Sequence, residues 1–340
     1  MNYVSKKMSG KTPYEPLVGD FKIRLDANES PLSLTSEVLD MFADEMQALN
    51  INRYPDPASN KIREAFAKKF DLCADNIVAG NGSDELISVI MTSLLDKGDT
   101  LCVAYPDFSM YAFYADLSEN QVLIYNKGEN FTLDKLSEFV NQNNARAVIF
   151  SNPCNPTGDG FGRTDVIKFI ENTRALCIID EAYMDFWDQS ILDVADKYEN
   201  LIVLKTLSKA YGAAGIRLGF AIGHKSLINA LNVARSPYNV NTLSQTLGKI
   251  ILENMPDNSK YLANQAKKLE AKIAELFPDA VITPTKTNFV YFSHPKAKKI
   301  YEGLLKQKIA IRYFKPDRLR ITASTDEELR ELYIALKNII

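Results

Sequence analysis

A lysine in the middle of the chain stands among residues that could bind an anionic group. In the segment KTLSKAYGAAGIRLG (205–219), Lys209 follows a strand pattern, Thr206 and Ser208 precede it closely, and Arg217 comes shortly after. Two hydroxyls, a guanidinium and loop N–H groups are what a dianionic phosphate requires. A desolvated lysine beside cationic groups has a lowered pKa and can act as a nucleophilic amine. Because a lone lysine is more often a surface residue, its neighbours carry this prediction.

Two further segments place polar residues directly after strand patterns. The segment IIDEAYMDF (178–186) ends a strand with Asp180 and continues to Tyr183, and the segment FSNPCNPTG (150–158) contains Asn155. Side chains at the carboxyl ends of strands face the ligand crevice of an open α/β sheet. Turns and caps explain the same residue types without any ligand, because Asp, Asn and Pro are ordinary turn formers. The order of these segments therefore predicts a shared crevice, with local turn chemistry as the alternative.

Two more segments could contact a ligand in that crevice. The segment AGNGSDELISVI (79–90) is a glycine-rich turn that opens a helix. The free N–H groups at a helix start favour an anion, although Ser83 or Asp84 could simply cap the helix. In the segment YPDFSMY, Phe108 follows a strand, where an aromatic side chain is either part of the core or faces a ligand.

The elements that must position these residues alternate between strand and helix patterns. Strands rich in Val, Ile and Leu with little alternation are buried on both faces, as in an α/β sheet, and intervening helices imply crossover connections. GFAIG (219–223) adds a strand that could break the parallel pattern. After about residue 236, amphipathic helices and short strands predict a smaller α+β lobe. The larger lobe has predicted strands at 100–105, 121–125, 146–150, 175–180, 200–206 and 219–223, and predicted helices at 87–95, 108–117, 133–140 and 165–173.

The composition argues against several classes of protein. The net charge of −3 over 340 residues gives no electrostatic reason to expect nucleic acid or a membrane as partner. No apolar run approaches the roughly 20 residues of a membrane span, and the N-terminus lacks the apolar region of a secretory signal. The four cysteines form no CxxC pair and suit a cytoplasmic location. The two histidines are far apart, so no metal site is expected.

The lysine, aspartate, asparagine and glycine segments together resemble fold-type I enzymes that depend on pyridoxal 5′-phosphate. With LDANESP (25–31), RYPDP (53–57) and TPYEP (12–16), the chain resembles the histidinol-phosphate aminotransferase family from about residue 12 to the C-terminus. The resemblance implies an α/β fold with a mostly parallel seven-stranded sheet in a large lobe, plus a smaller α+β lobe. The implied domains are an N-terminal arm that contributes to the small lobe (1–40), the cofactor-binding domain (41–236), and linking helices with the small domain (237–340).

The resemblance also implies a role for each cofactor contact. Lys209 holds pyridoxal phosphate as a Schiff base and transfers protons, Asp180 pairs with the pyridinium nitrogen, and Phe108 stacks on the ring. Tyr183 belongs with Lys209 and Asp180 to the catalytic set. The other implied contacts are Asn155 and Tyr183 at the ring oxygen, Gly82, Ser83, Asp84, Thr206, Ser208 and Arg217 at the phosphate, and Tyr54, which reaches the phosphate of the neighbouring subunit in a homodimer.

The substrate contacts implied by the resemblance are basic and lie late in the chain. In the segment IAIRYFKPDRLRIT, the arginines that match the family's strand-borne pair are Arg312 and Arg320. Both are expected to bind the substrate phosphate, and Arg320 also the carboxylate of glutamate. Tyr14 and Asn155 complete the expected substrate contacts, and Arg318 is expected to face solvent. Ser324, in LRITAST, stands where the family commonly has glycine.

These roles predict a ping-pong transamination. Histidinol phosphate and 2-oxoglutarate would be interconverted with imidazole acetol phosphate and glutamate, as in histidine biosynthesis. Three alternatives stay open: a threonine-phosphate decarboxylase, which also takes a phosphorylated substrate; an aromatic or broad-range aminotransferase; and a cofactor-binding regulator without catalysis, which no basic patch favours.

Overall fold

The computed structural model describes residues 3–13 and 15–339, and its strands form two sheets. In chain order, the strands are β1 (Ile23–Leu25), β2 (Ile77–Gly80), β3 (Thr100–Tyr105), β4 (Gln121–Asn126), β5 (Ala147–Ser151), β6 (Leu176–Asp180), β7 (Leu201–Thr206), β8 (Gly219–Gly223), β9 (Val281–Thr283), β10 (Phe289–Ser293), β11 (Ile309–Phe314) and β12 (Arg318–Thr322).

The α-helices cover these sheets, and several begin at a residue whose side chain accepts an N–H of the first turn. Thr35, Thr132, Asn241 and Thr325 all do so. None of the helices within residues 3–13 and 15–339 is both long and apolar enough to span a bilayer. The helices are α1 (Ser36–Ala48), α2 (Asn60–Phe70), α3 (Gly82–Ser93), α4 (Met110–Leu117), α5 (Leu133–Gln142), α6 (Arg163–Asn172), α7 (Lys225–Ala234), α8 (Thr242–Asn254), α9 (Ser259–Leu276), α10 (Ala297–Lys306) and α11 (Asp326–Lys337).

The larger sheet has seven strands in the order β2-β8-β7-β6-β5-β3-β4. Strands β3 to β7 pair in parallel, whereas β8 runs antiparallel to both β2 and β7. This confirms the expected sheet and the expected break at GFAIG. Buried side chains of the sheet pack with α3, α4 and α7 on one face and with α2, α5, α6 and α8 on the other. Burial on both faces explains why these strands show little alternation in the sequence.

Strand alternation decides where the last side chain of each central strand points. Ser151, Asp180 and Thr206 end β5, β6 and β7, and each has the same parity as the residues that pack against α3 and α4. Ser151 and Asp180 are register partners, and Thr206 pairs with Gly219 of β8. Three polar side chains therefore meet at one edge and on one face of the sheet.

The smaller sheet has the order β1-β11-β12-β10-β9. Its strand β1 comes from the N-terminal arm and lies parallel to β11, while the other pairings are antiparallel. Apolar residues of α9, α10 and α11 cover the sheet and form a separate core. Arg312 of β11 and Arg320 of β12 are direct register partners.

Helix α8 follows the expected domain boundary at 236/237 but packs with the larger lobe. Its residues Leu247, Ile250 and Ile251 belong to the same core cluster as Phe66 of α2 and Phe220 of β8. Its apolar face is therefore buried in the core of the larger lobe. The domain boundary itself stays a prediction.

Candidate active site

A cavity of about 870 Å³ opens at the carboxyl edge of the larger sheet and extends to the smaller sheet. Two predicted contacts do not line it: Tyr54 lies elsewhere, and Tyr14 lies outside the described residues. The structure brings all the other predicted site residues to its wall: Gly82, Ser83, Asp84, Phe108, Asn155, Asp180, Tyr183, Thr206, Ser208, Lys209, Arg217, Arg312 and Arg320.

Hydrogen-bond donors concentrate where α3 begins. Gly82 has a φ of +80°, and a Cβ on it would lie 2.8 Å from the Arg217 Nη2 atom. A Cβ on Gly219 would lie only 2.2 Å from the Ser83 nitrogen, so both glycines allow the backbone and the guanidinium to approach closely. The Thr206 hydroxyl donates to Ser208 Oγ at 3.0 Å. Free N–H groups, two hydroxyls and a guanidinium form a cradle that fits a phosphate dianion.

Lys209 extends from this cradle toward the N-terminal arm. Its Nζ atom donates to the carbonyl oxygen of Ala27 at 3.0 Å and lies 5.8 Å from the centroid of the Tyr183 ring. The side chain is half-buried at the cavity wall. Its amine can therefore reach a ligand whose phosphate occupies the cradle.

Asp180 is a buried carboxylate with both oxygens occupied. Its Oδ2 atom accepts from the Tyr111 hydroxyl at 2.7 Å, and its Oδ1 atom accepts from the Ala182 N–H at 3.0 Å. Burial raises the pKa of Asp180 from 3.8 to about 6, and the two hydrogen bonds partly offset that effect. A desolvated carboxylate gains much by pairing with a cation, which suits it to a protonated ring nitrogen.

Tyr183 and Asn155 are each held by a residue from another part of the chain. The Tyr183 hydroxyl accepts from Asn28 Nδ2 at 2.9 Å. Asn155 Oδ1 accepts from Arg320 Nη1, and Arg320 Nη2 donates to the Asp26 carbonyl oxygen at 2.6 Å. The arginine of the smaller sheet is thereby joined to a loop of the larger lobe and to the N-terminal arm.

Tyr54 is the predicted contact that the chain's own cavity does not include. Its side chain is 81% exposed. Its ring stacks on that of Tyr238, with the centroids 4.5 Å apart. Its predicted role in a neighbouring subunit stays a prediction.

Three residues at the site were missed from the sequence. Tyr111 and Asn28 hold Asp180 and Tyr183, and Asp107 lies at the cavity wall. Tyr111 comes three residues after Phe108, so helical spacing could have indicated that both face one direction. Asn28 belongs to LDANESP, whose residues were noted without individual roles.

No metal site is evident in the part of the chain that the structure describes. Among residues 3–13 and 15–339, no three His, Cys, Asp or Glu side chains are grouped so as to hold an ion.

Comparison of the sequence with known proteins identifies the family. The family model for aminotransferase class I and II matches residues 21–336. Histidinol-phosphate aminotransferase from Clostridium novyi is 38% identical over 96% of this chain and 94% of that protein. The histidinol-phosphate aminotransferase from Caldanaerobacter subterraneus subsp. tengcongensis is 34% identical over 100% of this chain and 99% of that protein.

A solved structure shares the whole architecture. The crystal structure of histidinol-phosphate aminotransferase from Sinorhizobium meliloti, in complex with pyridoxal 5′-phosphate, superposes with a TM-score of 0.89. It covers 100% of this chain and 98% of that one, and at 22% identity the likeness shows a common fold. The chain therefore belongs to the aminotransferase class I and II family of pyridoxal-phosphate-dependent transaminases.

Proposed function

We propose that the protein is a histidinol-phosphate aminotransferase, which interconverts histidinol phosphate and 2-oxoglutarate with imidazole acetol phosphate and glutamate. One observation carries the choice of substrates. The register-paired Arg312 and Arg320 line the same cavity as Lys209 and belong to the smaller sheet, whereas Arg217 of the phosphate cradle follows β7 of the larger sheet. The cavity thus offers a second basic region, which an anionic substrate requires after the cofactor phosphate has taken the first.

The cofactor end of the cavity consists of Asp180, Thr206, Ser208, Lys209 and Arg217. The cradle at the start of α3 would hold the phosphate of pyridoxal phosphate, and Lys209 would form its covalent link. When bound, this cofactor supplies an electron sink for the bond broken at the substrate carbon. Asp180 would keep the ring nitrogen protonated by pairing with its positive charge.

Protein groups around the cofactor would orient it and move the proton. Tyr183 and Asn155 would contact the ring oxygen, and Phe108 would stack on the ring. The Lys209 amine, once released from the cofactor, would carry a proton to and from the substrate carbon. The hydrogen bond of this amine to the carbonyl of Ala27, another residue of the cavity wall, supports this role.

The substrate end consists of Arg312 and Arg320. A guanidinium presents a planar fork that matches a phosphate or a carboxylate in two hydrogen bonds. Arg320 is already oriented by Asn155 and by the Asp26 carbonyl, so little freedom is lost when a substrate binds. Sharing of Arg320 between histidinol phosphate and glutamate is consistent with a ping-pong reaction, because the two donors bind in turn.

The proposal includes a cytoplasmic homodimer in which Tyr54 completes the partner's site. Its exposed side chain and its place outside the chain's own cavity support this arrangement. Mixing inactive Lys209→Ala chains with Tyr54→Ala chains tests it, since only a hybrid dimer carries one intact site. Recovery of activity on mixing supports the shared site, and its absence despite hybrid formation contradicts it.

A substrate panel tests the reaction itself. The holoenzyme is given histidinol phosphate, histidinol, threonine phosphate or tyrosine with 2-oxoglutarate, and glutamate and carbon dioxide are both measured. We expect histidinol phosphate to exceed histidinol in kcat/KM by about 100-fold or more, because the arginines lose their partner when the phosphate is absent. Carbon dioxide from threonine phosphate would instead indicate a decarboxylase, and a preference for tyrosine an aromatic aminotransferase.

A further inference from the structure

A buried carboxylate next to the cofactor end has no role among the predicted contacts. The Asp107 side chain is 0% exposed although the residue lies at the cavity wall. Its Oδ1 atom accepts from the Phe108 N–H at 2.8 Å and from the Ser151 hydroxyl. Its Oδ2 atom accepts from the Ser151 N–H at 3.1 Å and from Lys127 Nζ at 3.3 Å. A group with this many donors is held in one orientation.

The hydrogen bonds from Asp107 lead to two cofactor-facing residues. Phe108 is the next residue in the chain and is bonded directly. Asn155 is reached through Ser151, whose hydroxyl oxygen accepts from the Asn155 N–H at 3.0 Å. One carboxylate therefore connects the loop after β3, which carries Phe108, with the loop after β5, which carries Asn155.

Lys127 strengthens the same connection from a third loop. Its side chain is 10% exposed, and besides Asp107 its Nζ atom contacts the Pro106 carbonyl at 3.1 Å and Cys154 Sγ at 3.2 Å. Burial lowers the pKa of Lys127, but the Asp107 charge and the neighbouring Cys154 and Asp159 outweigh this and raise it overall. The ammonium thus stays charged and bonds to both loops.

A purely structural role explains this arrangement poorly. Buried ion pairs contribute little net stability compared with apolar residues of similar size, because two charges must be desolvated. Groups behind a binding site that fix the orientation of its contacts are, in contrast, often charged and fully hydrogen-bonded. The position of Asp107 between Phe108 and Asn155 matches the second case.

We propose that Asp107, with Lys127 as its counter-ion, is a positioning residue that fixes the Phe108 loop relative to the Asn155 loop. Its function is to hold the stacking ring and the amide at the spacing that the cofactor ring requires. The inference rests on the proposed contacts of Phe108 and Asn155 with pyridoxal phosphate. It adds three residues to the site: Asp107, Lys127 and Ser151.

The chain offers a matched control for the Ser151 hydroxyl, which connects Asp107 with Asn155. Ser151 and Ser137 are both 3% exposed and hydrogen-bonded. Ser137 lies on α5, where its hydroxyl donates to the Asn172 carbonyl at 3.0 Å and is hydrogen-bonded to the Thr173 hydroxyl at 3.1 Å. Neither of these partners lines the cavity. Ser151→Ala and Ser137→Ala therefore remove comparable buried hydroxyls, one inside the network and one outside it.

The chain also contains its own probe of the Asn155 loop. Trp187 is the single tryptophan, and a Cβ on Gly160 would lie 2.8 Å from its ring. Because the ring packs against the end of this loop, displacement of the loop should change Trp187 emission and its quenching by acrylamide. This readout needs no cofactor and no turnover.

The experiment compares apoproteins of the wild type, Ser151→Ala, Ser137→Ala, Asp107→Asn and Asp107→Ala. Pyridoxal phosphate affinity, thermal midpoint and Trp187 quenching are measured for each. We expect Ser151→Ala to weaken cofactor affinity by about tenfold and to increase quenching, and Asp107→Ala to do more, since each lost hydrogen bond costs about that factor. Ser137→Ala should lower the thermal midpoint similarly while cofactor affinity stays within about twofold of wild type.

Equal behaviour of the two serine variants would overturn the proposal. If Ser151→Ala and Ser137→Ala destabilise the protein alike and neither alters cofactor affinity, the Asp107 network is structural only. Should Asp107→Ala fail to fold, Ser151→Ala and Asp107→Asn decide the question. A wrong substrate assignment would appear in the wild-type substrate panel and would leave these apoprotein measurements unchanged.

Discussion

The cofactor end and the substrate end of the cavity are held in place in different ways. Asp180 and Thr206 end adjacent parallel strands of one sheet, and their hydrogen-bond partners Tyr111 and Ser208 belong to the same lobe. Arg320, in contrast, comes from the smaller sheet and is fixed by contacts in two other parts of the chain. Under the proposed function, the groups that would hold the cofactor are therefore built into a single sheet, whereas the arginine that would bind the substrates lies where separate parts of the chain join.

Lys209→Ala should have the largest effect at the cofactor end. We expect turnover to fall by about 10⁴-fold or more, because both the covalent link and the proton carrier are lost. The phosphate cradle remains, so the variant should still bind pyridoxal phosphate without a covalent bond. Borohydride reduction followed by mass spectrometry checks this, and covalently attached cofactor in the variant would contradict the assignment.

Asp180→Asn should lower turnover by roughly 10² to 10³-fold in both half-reactions, because the ring nitrogen loses its anionic partner. The same substitution should increase the free energy of unfolding of the apoprotein. Since the pKa of Asp180 is raised from 3.8 to about 6, its ionised form destabilises the fold above pH 6, and this cost disappears as the pH falls toward 4.

Thermal unfolding of the wild-type and Asp180→Asn apoproteins across pH measures this change in stability. The Asn variant should be more stable than wild type at pH 8, by at most about 3 kcal/mol, and this advantage should vanish by about pH 4. An Asn variant that is less stable than wild type at pH 8 would show that burial of the charged carboxylate does not destabilise the fold.

Arg320→Ala tests the substrate end. We expect kcat/KM for histidinol phosphate and for glutamate to fall together by about 100-fold. Pyridoxal phosphate affinity should fall much less, because Arg320 reaches the cofactor end only through its hydrogen bond to Asn155. Arg320→Lys should not restore either substrate, because an ammonium lacks the planar fork. Arg318→Ala, on the same strand but exposed, is the control and should leave both values unchanged. If Arg320→Ala affects cofactor binding as strongly as substrate binding, the two ends are not separate.

Tyr111→Phe should have the smallest effect. The phenol donates to Asp180, and burial together with the charges of Asp180 and Asp107 raises its own pKa, so it remains neutral. Its removal should raise the pKa of Asp180 and move the acidic limb of cofactor affinity to higher pH. At pH 8 the loss should be only a few-fold. If cofactor affinity depends on pH in the same way in the wild type and in Tyr111→Phe, the hydrogen bond does not affect the pKa of Asp180.

The sequence predicted which residues share the cavity better than it predicted the contacts that hold them. Ser208, Lys209 and Asp180 were expected in one crevice because short motifs follow strong strand patterns and strand ends converge in a parallel sheet, and all three line the cavity. The contacts that hold Asp180 and Tyr183 were not predicted, because the pairs Tyr111–Asp180 and Asn28–Tyr183 join positions far apart in the chain. Such pairs depend on tertiary packing, which local patterns do not encode.

Short strands and one helix were also beyond sequence reasoning. β1, β2 and β9 have three or four residues each, too few for a periodic signal. Helix α8 was expected among the helices that link to the smaller lobe, because the character of the sequence changes near residue 236. The pattern of an amphipathic helix shows which of its faces is buried, but it does not show which of two cores that face packs against.

The N-terminal arm contacts three working side chains with three consecutive residues. The carbonyls of Asp26 and Ala27 accept from Arg320 and Lys209, and the Asn28 amide donates to Tyr183. Two of these links are made by the main chain, so replacing the side chain at either position removes neither acceptor. At these two positions, the path of the backbone provides the acceptor. A substitution at residue 26 or 27 therefore leaves these two acceptors in place, whereas a substitution at Asn28 removes the amide donor to Tyr183.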